Sequence, residues 1–431
     1  MRTLFFGSRN FAADLAAFCE SAAPGRAMQA AVAAILAEVR LRGDAGLTDQ
    51  AARIDHVKLA PAQFRVKPAE LARAAKTLPT RDRIAIEIAR ANVQAYHRAA
   101  VPRGWTVRNR QGGRVGEKHD PIRRVGINIP GGQVPLVSTV VMTVTLAQIA
   151  CVPEIAVFTP CNREGRVADR LLATLQLCGV SEVYRVGGVY GVGAMAYGTA
   201  TIPAVDKICG PSNAWVCEAM RQVFGTVGVA GLPGPSELMV IADATARPDC
   251  AAADLLAQAE HGSGRERIFL VTPSPAVRAA VAAEIKAQAG ALPRAALVRR
   301  VLAGGFLAVD VQTLDQAAEV ANRVAPEHLE LLVAERAVKG LVRKITTAGA
   351  IMIGNDTPTV LGDFVAGPSH VLPTGRSGRF SSGLRVADFM RRTSVVRYGP
   401  AGVRRSAAVV AAFAEMEQLQ AHGRSLEIRS R

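Results

Sequence analysis

The sequence predicts an α/β protein: two Rossmann-like parallel-sheet domains and a small C-terminal helical segment. Three observations lead there. Short β-like runs alternate with helical stretches along most of the chain. Hydrophobic residues make up 49% but aromatics only 5%, so the cores must be built from Ala, Val, Leu and Ile. A length of 431 residues exceeds one compact core and sets an expectation of two or three domains.

In chain order, the start carries an apolar Leu4-Phe5-Phe6, but Gly7, Arg9, Asn10 and Asp14 break it before a leader's core could form. Met28, Val32, Ile35 and Val39 recur at helical spacing, and Gly43 follows as a stop signal. Ile84, Ile88, Ala91 and Ala95 form a second apolar stripe. The β-like runs are 125–129, 155–158, 183–186, 238–241, 268–271, 307–309 and 351–353, with helical stretches such as 249–261 between them. That spacing implies parallel sheets covered by helices. The longest uncharged stretch, 125–153, contains Asn128, paired glycines, Gln133 and several Thr and Pro, which suits buried strand and loop rather than a membrane span. Near the end, Val409, Phe413, Met416 and Leu419 fit one amphipathic helix over 404–422 with no strand partner, so it should dock on another domain or subunit. The expected division is a discontinuous first domain (1–125 and 238–383), a second (126–237) and a helical tail (384–431).

Charge and cysteines narrow the class. The balance of 52 basic and 36 acidic residues gives +16, and eight arginines between Arg376 and Arg405 face only Asp388. No nucleic-acid motif or aromatic interleaving accompanies them, so a solvent-facing or subunit-facing arginine-rich surface is the preferred reading. Neither a nucleic-acid nor a membrane partner is expected. Seven scattered cysteines without a CxxC pair suit reduced thiols in a soluble, cytoplasmic protein and argue against a cysteine zinc site.

Seven histidines leave few candidates for chemistry. His56, His97 and His119 lack candidate ligands nearby and are expected at the surface. His261 ends a helical stretch, with Gln258 three residues earlier on the same face and Gly262 suited to the position beyond the helix end. Dipole complementation alone would explain that placement. His422-Gly423 repeats the arrangement, with Glu417 in the same stretch, so a mixed histidine, carboxylate and amide site suited to zinc is open. Glu327 and His328 follow Pro326 and would sit at an element start, where a carboxylate and an imidazole can shuttle protons; a capping pair explains the spacing equally well. His370 lies in a turn-rich loop. The nucleotide signal is weak: Gly191-Val192-Gly193-Ala194-Met195-Ala196 fits G-x-G-x-x-A, but no acidic residue follows at the expected place.

Taken together in order, several blocks are more specific. These are Ile129-Pro130-Gly131-Gly132, 205–213 ending in Gly210-Pro211-Ser212-Asn213, Pro233-Gly234-Pro235-Ser236-Glu237, Gln258-Ala259-Glu260-His261-Gly262, Ala325-Pro326-Glu327-His328-Leu329-Glu330, Gly362-Asp363, and His370-Val371-Leu372-Pro373-Thr374-Gly375. They resemble the signature blocks of the histidinol dehydrogenase family, over nearly the whole chain. The resemblance implies zinc held by Gln258, His261, Asp363 and His422, with Glu327 and His328 as the catalytic pair. It implies substrate contacts at Ser236, Gln258, His261, His328, Asp363, Glu417 and His422, and NAD near Asn128, Tyr190 and Asn213. It also implies a homodimer whose C-terminal segment crosses over, and a four-electron oxidation of L-histidinol to L-histidine through histidinaldehyde, at the end of histidine biosynthesis.

Some positions depart from the family. Asn128 stands where a tyrosine is usual, Tyr190 where a glutamine is usual, and Ser369 where an asparagine precedes His370. Met142-Thr143-Val144-Thr145 reads more like paralogues that oxidise other alcohols. The alternative is therefore a paralogous zinc- and NAD-linked dehydrogenase of another polyol, sulfonated diol or amino alcohol. A binding protein that has lost catalysis is a third reading, motivated by Asn128 and Tyr190.

Overall fold

The computed structural model describes residues 2–20, 25–131 and 135–430. Gly132 of the Pro-Gly-Gly block lies outside them. Along the chain the strands are β1 (Arg2–Phe5), β2 (Trp105–Arg108), β3 (Arg114–Pro121), β4 (Arg124–Asn128), β5 (Glu154–Phe158), β6 (Glu182–Tyr184), β7 (Lys207–Cys209), β8 (Gly228–Val229), β9 (Glu237–Ala242), β10 (Arg267–Thr272), β11 (Phe306–Asp310), β12 (His328–Leu332), β13 (Ala350–Ile353) and β14 (Met390–Arg397).

Two parallel sheets carry the fold. One has six strands in the order β1-β11-β10-β9-β12-β13, the other five in the order β6-β5-β4-β7-β8, and every pairing in both is parallel. Strands β9 and β10 are buried along their full length, as expected when helices cover both faces. Alternation decides which face each residue meets. On β9 and β12, Met239, Ile241, Leu329 and Leu331 join one core, whereas Leu238, Val240 and Leu332 join another with Leu255, Leu256 and Ala259 of helix Pro248–Ala259. His328 and Glu330 share the parity of Leu332 and so face that helix.

The domain expectation needs correction at its first segment. Val32, Ile35, Leu36 and Val39 of helix Arg26–Arg42, and Val66, Leu71, Ile86 and Val93 further on, pack into the cores of the five-stranded sheet. Of the start of the chain, β1 and helix Phe11–Glu20 join the six-stranded sheet. The helix Arg26–Arg42 ends at Gly43, with φ +55, as its glycine signalled.

A third unit was not foreseen. Strands β14, β3 and β2 form an antiparallel sheet, so the tail begins as a strand and not as pure helix. The tail also breaks. Helix Pro400–Met416 stops at Glu417, Gln418 takes φ +56, and helix Gln420–Ser430 follows. His422 therefore lies inside a second helix and not at the end of one. Val409, Phe413, Met416 and Leu419 are all exposed.

Two further expectations fail on helix Thr80–Ala99. Its inward face carries Ile86, Val93 and His97, while Ile84 and Ile88 are about half exposed. His97 is buried and its ring nitrogens lack partners, so it is not a surface histidine. The seven cysteines are free thiols, and no described helix is long and apolar enough to cross a membrane.

Candidate active site

The site lies in the seam between the two sheets. Helix Pro248–Ala259 runs antiparallel to its strands, so its C-terminal end arrives where β9 and β12 begin. The chain passes from the end of β8 to the start of β9 within a few residues. The C-terminal edge of the five-stranded sheet thus abuts the N-terminal edge of the six-stranded one.

Ala325, with φ +51, turns the chain into Pro326; Glu327 precedes β12 and His328 opens it, both buried. The expectation of an element start holds, though the element is a strand. His328 Nδ1 lies 3.3 Å from the Glu237 carbonyl and 3.6 Å from Glu327 Oε2, while Nε2 lies 3.2 Å from Asp363 Oδ1. The Glu237 N–H donates to Glu327 Oε2 at 2.9 Å, and Gly375 N–H donates to Glu237 Oε1 at 3.0 Å. A second loop closes the arrangement: His370 Nδ1 lies 3.0 Å from the Asp363 carbonyl and Nε2 3.3 Å from Thr139 Oγ1. Thr139 belongs to helix Val137–Ile149, which follows β4 in the other domain, and Ser369 Oγ donates to Met142 O at 3.1 Å in the same helix.

The electrostatics favour proton transfer. Burial raises Glu327 to about 7 against the opposing pull of His328, so it sits near neutrality as a base. Glu237 rises to about 8, through burial and then repulsion from Glu327. Burial works against a charged His328, but Glu327 and Asp363 outweigh it and raise the ring to about 9. Asp363 is depressed, because the His328 hydrogen bond overcomes its burial. Desolvation lowers His261 below the usual imidazole range even though the residue stands at the solvent-facing rim, which leaves it neutral and able to ligate a metal.

Gln258 is buried, and its Nε2 has no hydrogen-bond partner. An amide in that state requires a ligand or water to satisfy it. Gln258, His261 and Asp363 offer an amide oxygen, a neutral imidazole and a carboxylate, a donor set that fits zinc with oxygen-rich coordination. Among the described residues of one chain, no group of three or more His, Cys, Asp or Glu is close enough to hold a metal ion. The fourth expected ligand, His422, stands exposed on the tail, as does Glu417, and neither bonds to this cluster in its own chain. Ser236 is half-buried immediately before β9.

The three residues expected near a dinucleotide are differently placed. Asn128 is buried at the end of β4 and its amide donates to Pro211 O at 2.8 Å. Asn213 caps helix Ala214–Val223, accepting from Trp215 N and Val216 N at 3.0 Å each. Tyr190 lies in the core and its hydroxyl bonds to Asp55. The edge does have open backbone: helix Gly188–Tyr197 starts from Gly187 without a side-chain cap, and a side chain at Gly188 would meet nothing within 4 Å. An uncapped helix start at the C-terminal edge of a parallel sheet fits a pyrophosphate.

Sequence reasoning gave no role to Glu237 or Thr139, and left His370 as a loop residue. Glu237 closes a quoted block just ahead of a strand, a signal that could have marked it. Nothing in the spacing ties Thr139 to His370.

Comparison with known proteins agrees in extent. A family model described as histidinol dehydrogenase matches residues 20–430. The chain is 42% identical over 421 residues to a histidinol dehydrogenase of Rhizobium meliloti, covering 97% of this chain and 96% of that protein. It is 39% identical over 432 residues to one of Gluconobacter oxydans, covering 100% and 99%. A crystal structure of histidinol dehydrogenase from Elizabethkingia anophelis superposes with a TM-score of 0.92 at 29% identity, covering 100% of this chain and 98% of that one.

Proposed function

From the premise that the chain belongs to the histidinol dehydrogenase family, we propose that it oxidises L-histidinol to L-histidine with zinc and NAD, in two successive two-electron steps. The observation that carries this reading is the buried Glu327 and His328 pair bonded to the half-buried Asp363, with Gln258 and His261 at the end of the neighbouring helix. A proton acceptor, a base near neutrality and a metal-ready donor set meet there in one seam.

Zinc held by Gln258, His261, Asp363 and the tail's His422 would anchor the substrate's imidazole and amino groups, so its contribution is orientation. NAD along the five-stranded edge would accept the two hydrides. His328 Nδ1 faces the Glu237 carbonyl, which fixes the ring, and Nε2 faces Asp363; with Asp363 drawn to a metal, Nε2 would be released to take the alcohol proton as the first hydride departs. Glu327 then draws a proton from water, whose oxygen adds to the aldehyde carbon. The second hydride leaves the resulting hydrate and yields the carboxylate. The Glu237 N–H holds one oxygen of Glu327 and orients the other.

His422 and Glu417 complete the site from a second copy in this proposal, supported by their exposure and by the uncovered Val409, Phe413 and Met416 beside them. Mixing inactive His261→Ala and His422→Ala chains should then restore about a quarter of wild-type activity per total chain, through dimers with one intact site. Activity in neither mixture nor parent would place His422 within its own chain's site.

The reading is tested by NADH formation with purified, zinc-loaded protein and L-histidinol, against a panel of polyols, sulfonated diols and other amino alcohols. Turnover of histidinol supports it. Turnover of another alcohol alone transfers the activity to the paralogous reading.

A further inference from the structure

Below the catalytic pair lies a second pair of acids that the reaction does not use. Glu330, two residues after His328 on β12, is completely buried. Its Oε1 accepts from Thr359 N at 2.8 Å and Thr359 Oγ1 at 2.7 Å. Thr359 begins the short helix Thr359–Phe364, which has no side-chain cap of its own and carries Asp363 one turn later. Glu330 Oε2 is buried and meets no N–H or hydroxyl donor. The group beside it is the carboxyl of Asp254, which sits one turn before Gln258 on helix Pro248–Ala259. Two carboxyls in contact repel unless they hold a proton between them, and burial followed by Glu330 raises Asp254. A proton held between the two carboxyls then satisfies Oε2.

Three elements therefore meet at one side chain: the strand bearing His328, the helix bearing Gln258 and the helix bearing Asp363. We propose that Glu330, braced by Asp254, is a positioning residue that holds Gln258 and Asp363 in register for the metal. It touches neither substrate nor cofactor. The inference rests on the zinc reading above and adds the groups that aim the ligands, whose loss ordinarily weakens metal affinity 10- to 100-fold.

The test is the zinc dissociation constant of folded protein, measured by competition with a chromogenic chelator, for wild type, Asp254→Asn, Asp254→Leu and Thr359→Val. Asn keeps a donor for Oε2, so Asp254→Asn should stay within about twofold of wild type. Asp254→Leu removes the donor and should weaken zinc by at least tenfold. Thr359→Val removes one of two bonds to Oε1, keeps a buried residue of similar shape, and should fall between them. It keeps the test decisive if the leucine variant fails to fold. Amide exchange across 359–364 in metal-free protein should accelerate in the same order. Unchanged zinc affinity in folded Asp254→Leu and Thr359→Val would overturn the positioning role. A wild type that takes up no zinc would instead overturn the metal reading.

Discussion

The two parallel sheets meet at one seam, and the residues expected to act on each side are in different states. On the six-stranded side, Gln258 Nε2 and Glu237 Oε2 are buried with no partner, and Glu327 is shifted toward neutrality by burial. On the five-stranded side, Asn128, Asn213 and Tyr190 are each committed: one to a loop carbonyl, one to a helix cap and one to Asp55. A buried polar group without a partner is costly and persists where a ligand satisfies it, whereas a fully bonded one stabilises the fold. On the proposed reading, the unpartnered Gln258 awaits a ligand, whereas Asn128, Asn213 and Tyr190 shape the edge on which a dinucleotide would lie.

The comparison breaks first at Glu327. Glu327→Gln should slow the second oxidation by about 10²- to 10⁴-fold, the usual contribution of a positioned base, and slow the first much less. Equal losses in both half-reactions, followed by single-turnover kinetics, would remove the water-activating role.

Arg124 sharpens the other side. It is buried at the start of β4 and bonds Glu182 at 2.5 and 3.0 Å and Glu154 at 2.9 Å. Arg124→Met should cost about 2–4 kcal/mol in denaturant unfolding, at the lower end of a broken buried pair because Glu154 is partly exposed, with kcat unchanged. A drop in kcat without loss of stability would show that the opposite, N-terminal edge of this sheet does more than hold shape.

Tyr190→Phe is milder. It removes one buried hydrogen bond and leaves Asp55 without its partner, a loss of about 1–2 kcal/mol. The KM for NAD should stay within about twofold, and a large rise would return Tyr190 to the cofactor.

The last effect is a pH limb, absent at neutral pH. Burial lowers His97 to about 4, below its ordinary 6.5, so the unfolded chain binds a proton that the folded chain refuses. The corresponding stability is fully present above about 6.5 and is lost as pH falls toward 4, by about 3 kcal/mol. His97→Phe should flatten that limb in urea melts between pH 7 and 4.

What the sequence made legible follows from burial. Strands β4, β5, β9, β10 and β11 read as apolar runs because helices cover both their faces. Strand β12 escaped because it opens on His328 and keeps Glu330 inside, and β2, β3 and β14 because they are exposed and charged. On helix Thr80–Ala99 an isoleucine repeat pointed to the wrong face, since Ile86, Val93 and His97 share the inward side. The break at Gln418 carries no glycine or proline to mark it. At the site, collinear blocks marked Gln258, His261, Glu327, His328 and Asp363, of which the fold brings Glu327, His328 and Asp363 into contact. The contacts of Glu237, Thr139 and the Asp254–Glu330 pair join residues 76 to 231 positions apart and had no local signal.

The most direct test of the account counts NADH formed per L-histidinol consumed by the zinc-loaded protein. Two NADH per histidinol is the predicted result and would place both oxidations in the Glu327 and His328 seam. One NADH with accumulated aldehyde, or no turnover with zinc bound, would contradict it.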